Sequence, residues 1–293
     1  MGFAACHPAV NQIYFACVMA VTVGVHHPVY LAISVLSAFC YGLKQNGKKE
    51  ALLAAVLLPC VTLFVLYYGS YHHFGVTVLG QNFIQNSITL EALAYGLTLG
   101  FTVAGVLLWL SCIYSIFTAD KVVYLFGKVS PRLSLFLTIL LRMVPRIRQQ
   151  ARKLNTAQAG IGRAVQQGNL WQRLCHGVRI FSMLISWTIE MLTASSESMR
   201  SRGSGLRGRT AYSIYRFDNR DRAYVVALFA AMTLLMMGLL LRQGEASFSP
   251  VIRFAPTTAM SAVFYMGYAL LCLMPLMLDL HTEYRFRRAR RNL

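Results

Sequence analysis

The residues best placed to do chemistry in this sequence are arginines and small residues at the ends of two helical runs. Residues 142–162 close on Ala159-Gly160-Ile161-Gly162, followed by Arg163, and residues 185–203 close on Ser201-Arg202-Gly203. Glycine is the usual residue just past a helix end. A guanidinium at such an end has two uses. It can offset the negative end of the helix dipole, or it can project past the tip, enter a groove on another protein and pair bidentately with a carboxylate. The first use is structural and the second recognition; neither is catalysis, and no catalytic residue is assigned.

Other reactive side chains are less organised. Asp218 and Asp221 flank Arg220 and read as loop charges, while Glu91 and Asp279 fall near the ends of apolar runs. No Asp, Glu, Lys or Arg lies in the middle of one. That pattern opposes an ion-coupled carrier, since ionisable groups inside membranes mark ion and proton paths. It also opposes a membrane enzyme built on paired acids and a metal. His26-His27 and His72-His73 fall at turns, where adjacent histidines point in different directions and no third ligand stands out, so no metal site is assigned. Gly42, four residues, then Gly47-Lys48 imitates a phosphate loop. Lys49 stands where that motif needs Ser or Thr, and no strand precedes it, so the stretch reads as a basic loop. The seven cysteines lack C-x-x-C spacing and read as buried thiols.

The elements that must carry these residues follow from composition. Of 293 residues, 56% are hydrophobic and 13% charged, with mean hydropathy +0.52. A soluble domain carries about 25% charged residues. The expected class is an all-α integral membrane protein with about six transmembrane helices plus cytosolic amphipathic helices. Spans are expected near 9–25, 28–43, 51–68, 91–117, 223–241 and 257–278. One long tilted helix over 10–43, which would reverse the N-terminus, is the alternative to the first two, but His26-His27-Pro28 argues for a break. The apolar start lacks a basic region and runs past a signal peptide's length, so no cleavable signal is expected. The net charge of +18 is distributed by topology rather than as a polyanion surface: with six spans, 26 of the 28 Lys and Arg fall on one side, in 44–50, 118–222 and 281–293. Those segments are cytoplasmic by the positive-inside rule, with both termini inside, and no nucleic-acid partner is implied. The chain therefore divides into a membrane region at 1–128, a cytosolic region at 129–221 and a membrane region with a basic tail at 222–293.

Within the cytosolic region, Met143, Ile147, Leu154 and Ile161 line one helix face and Arg146, Arg148, Arg152 and Lys153 lie off it. A basic amphipathic helix of this kind also suits the surface of a bilayer. Pro145 should kink or begin this helix and acts as a structural hinge. In the second run Ile185, Ile189, Leu192 and Met199 form the apolar face. Ala194, Ser195, Ser196 and Ser198 are small enough for a helix to cross closely, and Glu197 and Arg200 are spaced to pair.

Residues 197–213, followed by Tyr215-Arg216-Phe217-Asp218, resemble the transmembrane (T) component of energy-coupling factor (ECF) transporters. Arg142-Met143-Val144-Pro145, His7-Pro8, His27-Pro28 and Gly47-Lys48-Lys49 extend the likeness over most of the chain. In that family two cytosolic coupling helices end in Ala-Arg-Gly-like motifs. The resemblance makes Ser201-Arg202-Gly203 the second ATPase-coupling motif. The first would be Ala159 to Arg163, with Ile161 where the arginine is expected and Arg163 able to supply the charge. The resemblance further implies an ABC-type importer in a bacterial or archaeal cell membrane. There, two cytosolic ATPase subunits bind ATP and Mg, a small membrane S component captures a vitamin or metal ion, and this chain, non-catalytic and without a cofactor, couples them. The competing readings are a self-sufficient permease for a neutral solute, a membrane-embedded enzyme, and a scaffold that binds lipid alone.

Overall fold

The computed structural model describes residues 2–72, 74–81, 87–204, 206, 215–254 and 258–291. A single 3-10 turn, Phe3–Ala5, leads into α1 (Pro8–Gly24) and α2 (Pro28–Asn46). The two helices start alike. His7 and His27 are the N-caps, each with proline at the first helical position, and each Nδ1 accepts the amide two residues on, Ala9 N at 3.2 Å and Val29 N at 3.3 Å. Proline is preorganised for that position and lacks the amide that would otherwise go unbonded. The expected break at residues 26–28 is thus a pair of caps rather than a tilt in one helix.

Gly47, with φ +57°, joins α2 to α3 (Lys48–Tyr71). The basic loop expected at 44–50 is therefore almost wholly helical. A short antiparallel hairpin follows, β1 (Val78–Gln81) and β2 (Ser87–Thr89). It leads to α4 (Leu90–Ile116), α5 (Ala119–Val129), α6 (Pro131–Ala159), α7 (Leu170–Ser201) and α8 (Asn219–Leu240). The two-residue strands β3 (Ala246–Ser247) and β4 (Arg253–Phe254) pair before α9 (Ala259–Arg291). The helix α6 starts 14 residues before Pro145, which lies inside it rather than at its start, and α9 carries the basic tail as helix.

Among the described residues, α3, α4, α8 and α9 are long and apolar enough to cross a membrane; α1 is apolar but shorter. The chain is accordingly a helical, membrane-embedded type of protein. Its contacts divide it into two units, Met1–Thr118 with Tyr215–Leu293, and Ala119–Ile214. The helix α5 thus goes with α6, on which it packs, while Tyr215 and Phe217 lie against the His7 ring.

The first unit has the core. Tyr14, Phe15 and Val18 of α1 pack with Tyr41 of α2, Trp109 and Cys112 of α4, Leu235 of α8, and Tyr268 and Leu271 of α9. Polar groups inside it are bonded to one another: Thr22 Oγ1 and Ser34 Oγ lie 2.7 Å apart, Trp109 Nε1 donates to Ser34 Oγ at 3.0 Å, and Tyr14 Oη donates to the Cys272 carbonyl at 3.0 Å. Such pairing is what an apolar surrounding demands of buried polar groups.

Four carboxylates are buried rather than solvated: Glu50, Glu91 and Asp221 in the first turns of their helices, and Asp279 within α9. Asp221 is therefore no ordinary loop charge. It completes a capping box with Asp218 at the start of α8 and accepts the His7 amide at 3.2 Å. Asp279 accepts the Phe3 amide at 2.6 Å. Glu91 holds Thr77 through its amide, at 3.2 Å, and its hydroxyl, at 2.7 Å. Glu50 Oε2 takes Ser111 Oγ at 2.6 Å and Asn46 Nδ2 at 3.0 Å. Cysteine burial is mixed: Cys112 and Cys272 are buried, but Cys40, Cys60 and Cys175 are exposed.

Candidate functional site

The second unit contains both helix ends singled out by the sequence. It is built from α5, α6 and α7, which pack in series. A capping box at Asn169, reciprocated by Gln172, starts α7. At 32 residues, α7 is about 48 Å long. Residues 160–169 join the end of α6 to the start of α7.

The two ends have the same hydrogen-bond pattern. At the first, Gly162 has φ +75°; its amide donates to the Ala159 carbonyl at 3.1 Å, and the Arg163 amide donates to the Gln158 carbonyl at 2.9 Å. At the second, Gly203 has φ +74°; its amide donates to the Arg200 carbonyl at 3.0 Å, and the Ser204 amide donates to the Met199 carbonyl at 3.1 Å. Both are Schellman motifs, in which a left-handed residue lets the chain fold back and satisfy the last carbonyls. The shared geometry aligns the two ends residue by residue. Gly162 matches Gly203, Ile161 matches Arg202, and Gly160 matches Ser201. Arg163 matches Ser204, one position beyond the glycine, and does not occupy the place of Arg202.

The tips are accessible. Ile161 is 69% exposed, and Ala159, Gly160, Gly162, Arg163, Ser201 and Arg202 are exposed too; Gly203 is half-buried. The loop behind the first tip is ordered by side chains. Asn155 Oδ1 accepts the Val165 amide at 3.1 Å, Gln167 Oε1 accepts the Ala164 amide at 3.1 Å, and Ala164 is buried. Arg202 takes no part in an ion pair among the described residues. The expected Glu197–Arg200 pair is not formed: both side chains are exposed and stay apart.

The helices leading to the tips bury little. Met143 on α6 and Ile180 on α7 are buried, but Ile185, Ile189 and Leu192, the expected apolar face of α7, are all exposed, as are Leu140, Leu141 and Val144 on α6. Contiguous apolar surface of this kind marks a contact with lipid or protein. Pro145, Arg146 and Arg148 are exposed, and Leu154 is half-buried.

Among the described residues no group of three or more His, Cys, Asp and Glu could hold a metal ion. His26 stacks on Tyr95, and His27 stacks on Tyr265. His72 stacks on Tyr68 at 4.0 Å between ring centroids; His73 lies outside the described residues. Most of the tail after the second tip, 205 and 207–214, lies outside them as well. Neither a protein-family model nor a curated protein matches this chain.

Proposed function

We propose that this chain is the transmembrane coupling subunit of an importer of the energy-coupling factor type, in which the tips at Ile161-Gly162 and Arg202-Gly203 dock on two cytosolic ABC-type ATPase subunits. The observation that carries this reading is the repetition of one exposed Schellman-capped end on two long helices whose apolar faces have too few partners within the chain. The resemblance in residues 197–218 points the same way. The chain itself hydrolyses nothing. ATP-driven closure of the two ATPases moves the tips, and α6 and α7 pass that motion to spans that hold a small S component with its vitamin or metal ion. In this arrangement α1 and α2 join the four longer helices as six spans, both termini are cytoplasmic, and the membrane is that of a bacterial or archaeal cell.

Arg202 is the principal anchor, because Ile161 leaves the first tip without a guanidinium at the matching position. The test is Arg202→Ala, followed by co-purification with the ATPases and by uptake. The expected outcome is loss of docking and uptake with normal membrane insertion and unchanged helicity. Unimpaired coupled uptake would remove Arg202 from the interface. Uptake by this chain expressed alone would favour a self-sufficient permease instead.

A further inference from the structure

The first unit contains a groove that plays no part in the coupling role. It has a volume of about 390 Å³ and lies between the start of α8 and the last third of α9. Arg220 and Tyr224 line it from α8; Leu278, His281, Arg285 and Phe286 line it from α9. The α9 residues recur at three- and four-residue steps, so they share one helix face. The volume is that of a small-molecule site.

Its lining is basic, and Asp221 and Asp279 stand outside it, near enough to act on Tyr224. No carboxylate lines it. The acids nearest in sequence are engaged elsewhere: Asp221 accepts the His7 amide, Asp279 accepts the Phe3 amide, and Glu283 pairs with Lys44 at 3.1 Å. Arg220 and Arg285 are exposed and in no ion pair among the described residues. The groove also lies where both helices pass from charge-free spans to charged ends. Leu278 and Phe286 give its α9 wall apolar surface beside the charged side chains.

We infer that this groove binds the headgroup of an anionic glycerophospholipid, with Arg220 and Arg285 on the phosphate and Leu278 and Phe286 against its apolar part. Basic pockets between membrane helices are suited to such headgroups. Arginine presents a planar fork of donors that matches a phosphate. A soluble phosphate would gain nothing from Leu278 and Phe286.

The test is native mass spectrometry of the full chain in detergent with equal phosphatidylglycerol and phosphatidylcholine. The expected result is retention of phosphatidylglycerol several-fold over phosphatidylcholine. Arg220→Gln with Arg285→Gln should lower that retention about tenfold or more. Arg287→Gln with Arg290→Gln removes the same charge outside the groove and should leave retention within about twofold. All four positions are exposed, so folding is not at stake, and circular dichroism checks that. Equal loss in both double variants would mean diffuse attraction and overturn the site. So would equal retention of the two lipids. Inorganic phosphate that displaces phosphatidylglycerol at equal concentration would assign the groove to soluble anions and overturn it too.

Discussion

At the level of single residues, the left-handed positions and the helix caps carry the clearest consequences. Gly162 and Gly203 have φ near +75°, where a Cβ costs roughly 1–2 kcal/mol. A Cβ on Gly162 would meet open space, so Gly162→Ala should lose about that much stability through its backbone alone, as read from chemical unfolding. The end of α8 repeats the same motif with an arginine in the glycine place: Arg242 has φ +56°, and the Gln243 amide donates to the Gly238 carbonyl at 3.1 Å. Its pair with Glu245, at 3.5 Å, is largely exposed and contributes little. Arg242→Gly should therefore raise stability by about 1 kcal/mol. His27 behaves differently. Burial pushes its imidazole below the ordinary value, and its Nδ1 is occupied as an acceptor at the start of α2. The folded chain thus favours neutral His27. Its contribution is complete above the ordinary histidine value of about 6.5 and is lost as pH falls from there toward the lower folded value. His27→Asn keeps a capping oxygen and removes the titration. The thermal midpoint of the variant should therefore fall less than that of the parent between pH 7 and pH 5.

At the level of elements, the N-terminal segment is held by two carboxylates from distant parts of the sequence, Asp221 on the Phe3–Pro8 side of α8 and Asp279 on α9. Each accepts a backbone amide, so Asp221→Ala or Asp279→Ala would remove that amide's carboxylate acceptor, at a cost of about 1–3 kcal/mol. Faster proteolysis of the first ten residues in either variant would register that loss. These ties also explain what the sequence could and could not reveal. The apolar runs and the His26-His27-Pro28 break were legible, because periodicity and proline act locally; α1, α2, α3, α4, α8 and α9 fall where spans were expected. The N-terminal reach of α6 was not, because residues 133–141 are a mostly apolar run with no charged face to mark a helical period. Nor was the burial of Asp221 and Glu50, because their partners, His7, Ser111 and Asn46, are in other elements or set by a tertiary bend. Spacing already set Ile161 opposite Arg202; what it left open was the place of Arg163, which the hydrogen bonds at each glycine put one position beyond.

At the level of the whole molecule, the two units differ in what they bury. The first encloses a core of aromatic and aliphatic side chains from five helices; the second exposes apolar side chains along two long ones. A unit of this composition depends on lipid or on other proteins to cover it. Residues 119–214 produced alone should therefore aggregate or bind detergent rather than unfold cooperatively in buffer. A cooperative transition in plain buffer would contradict that. The proposed coupling role puts the tips in a complex whose chemistry is in other chains. The most direct measurement is purification of the tagged chain from its native membranes in mild detergent, with every co-purifying protein identified. The expected result is two ATPases with phosphate loops and a small apolar protein, all missing or much reduced with Arg202→Ala. A chain that comes down alone and still moves a solute would contradict the coupling role and place the transport path within its own spans.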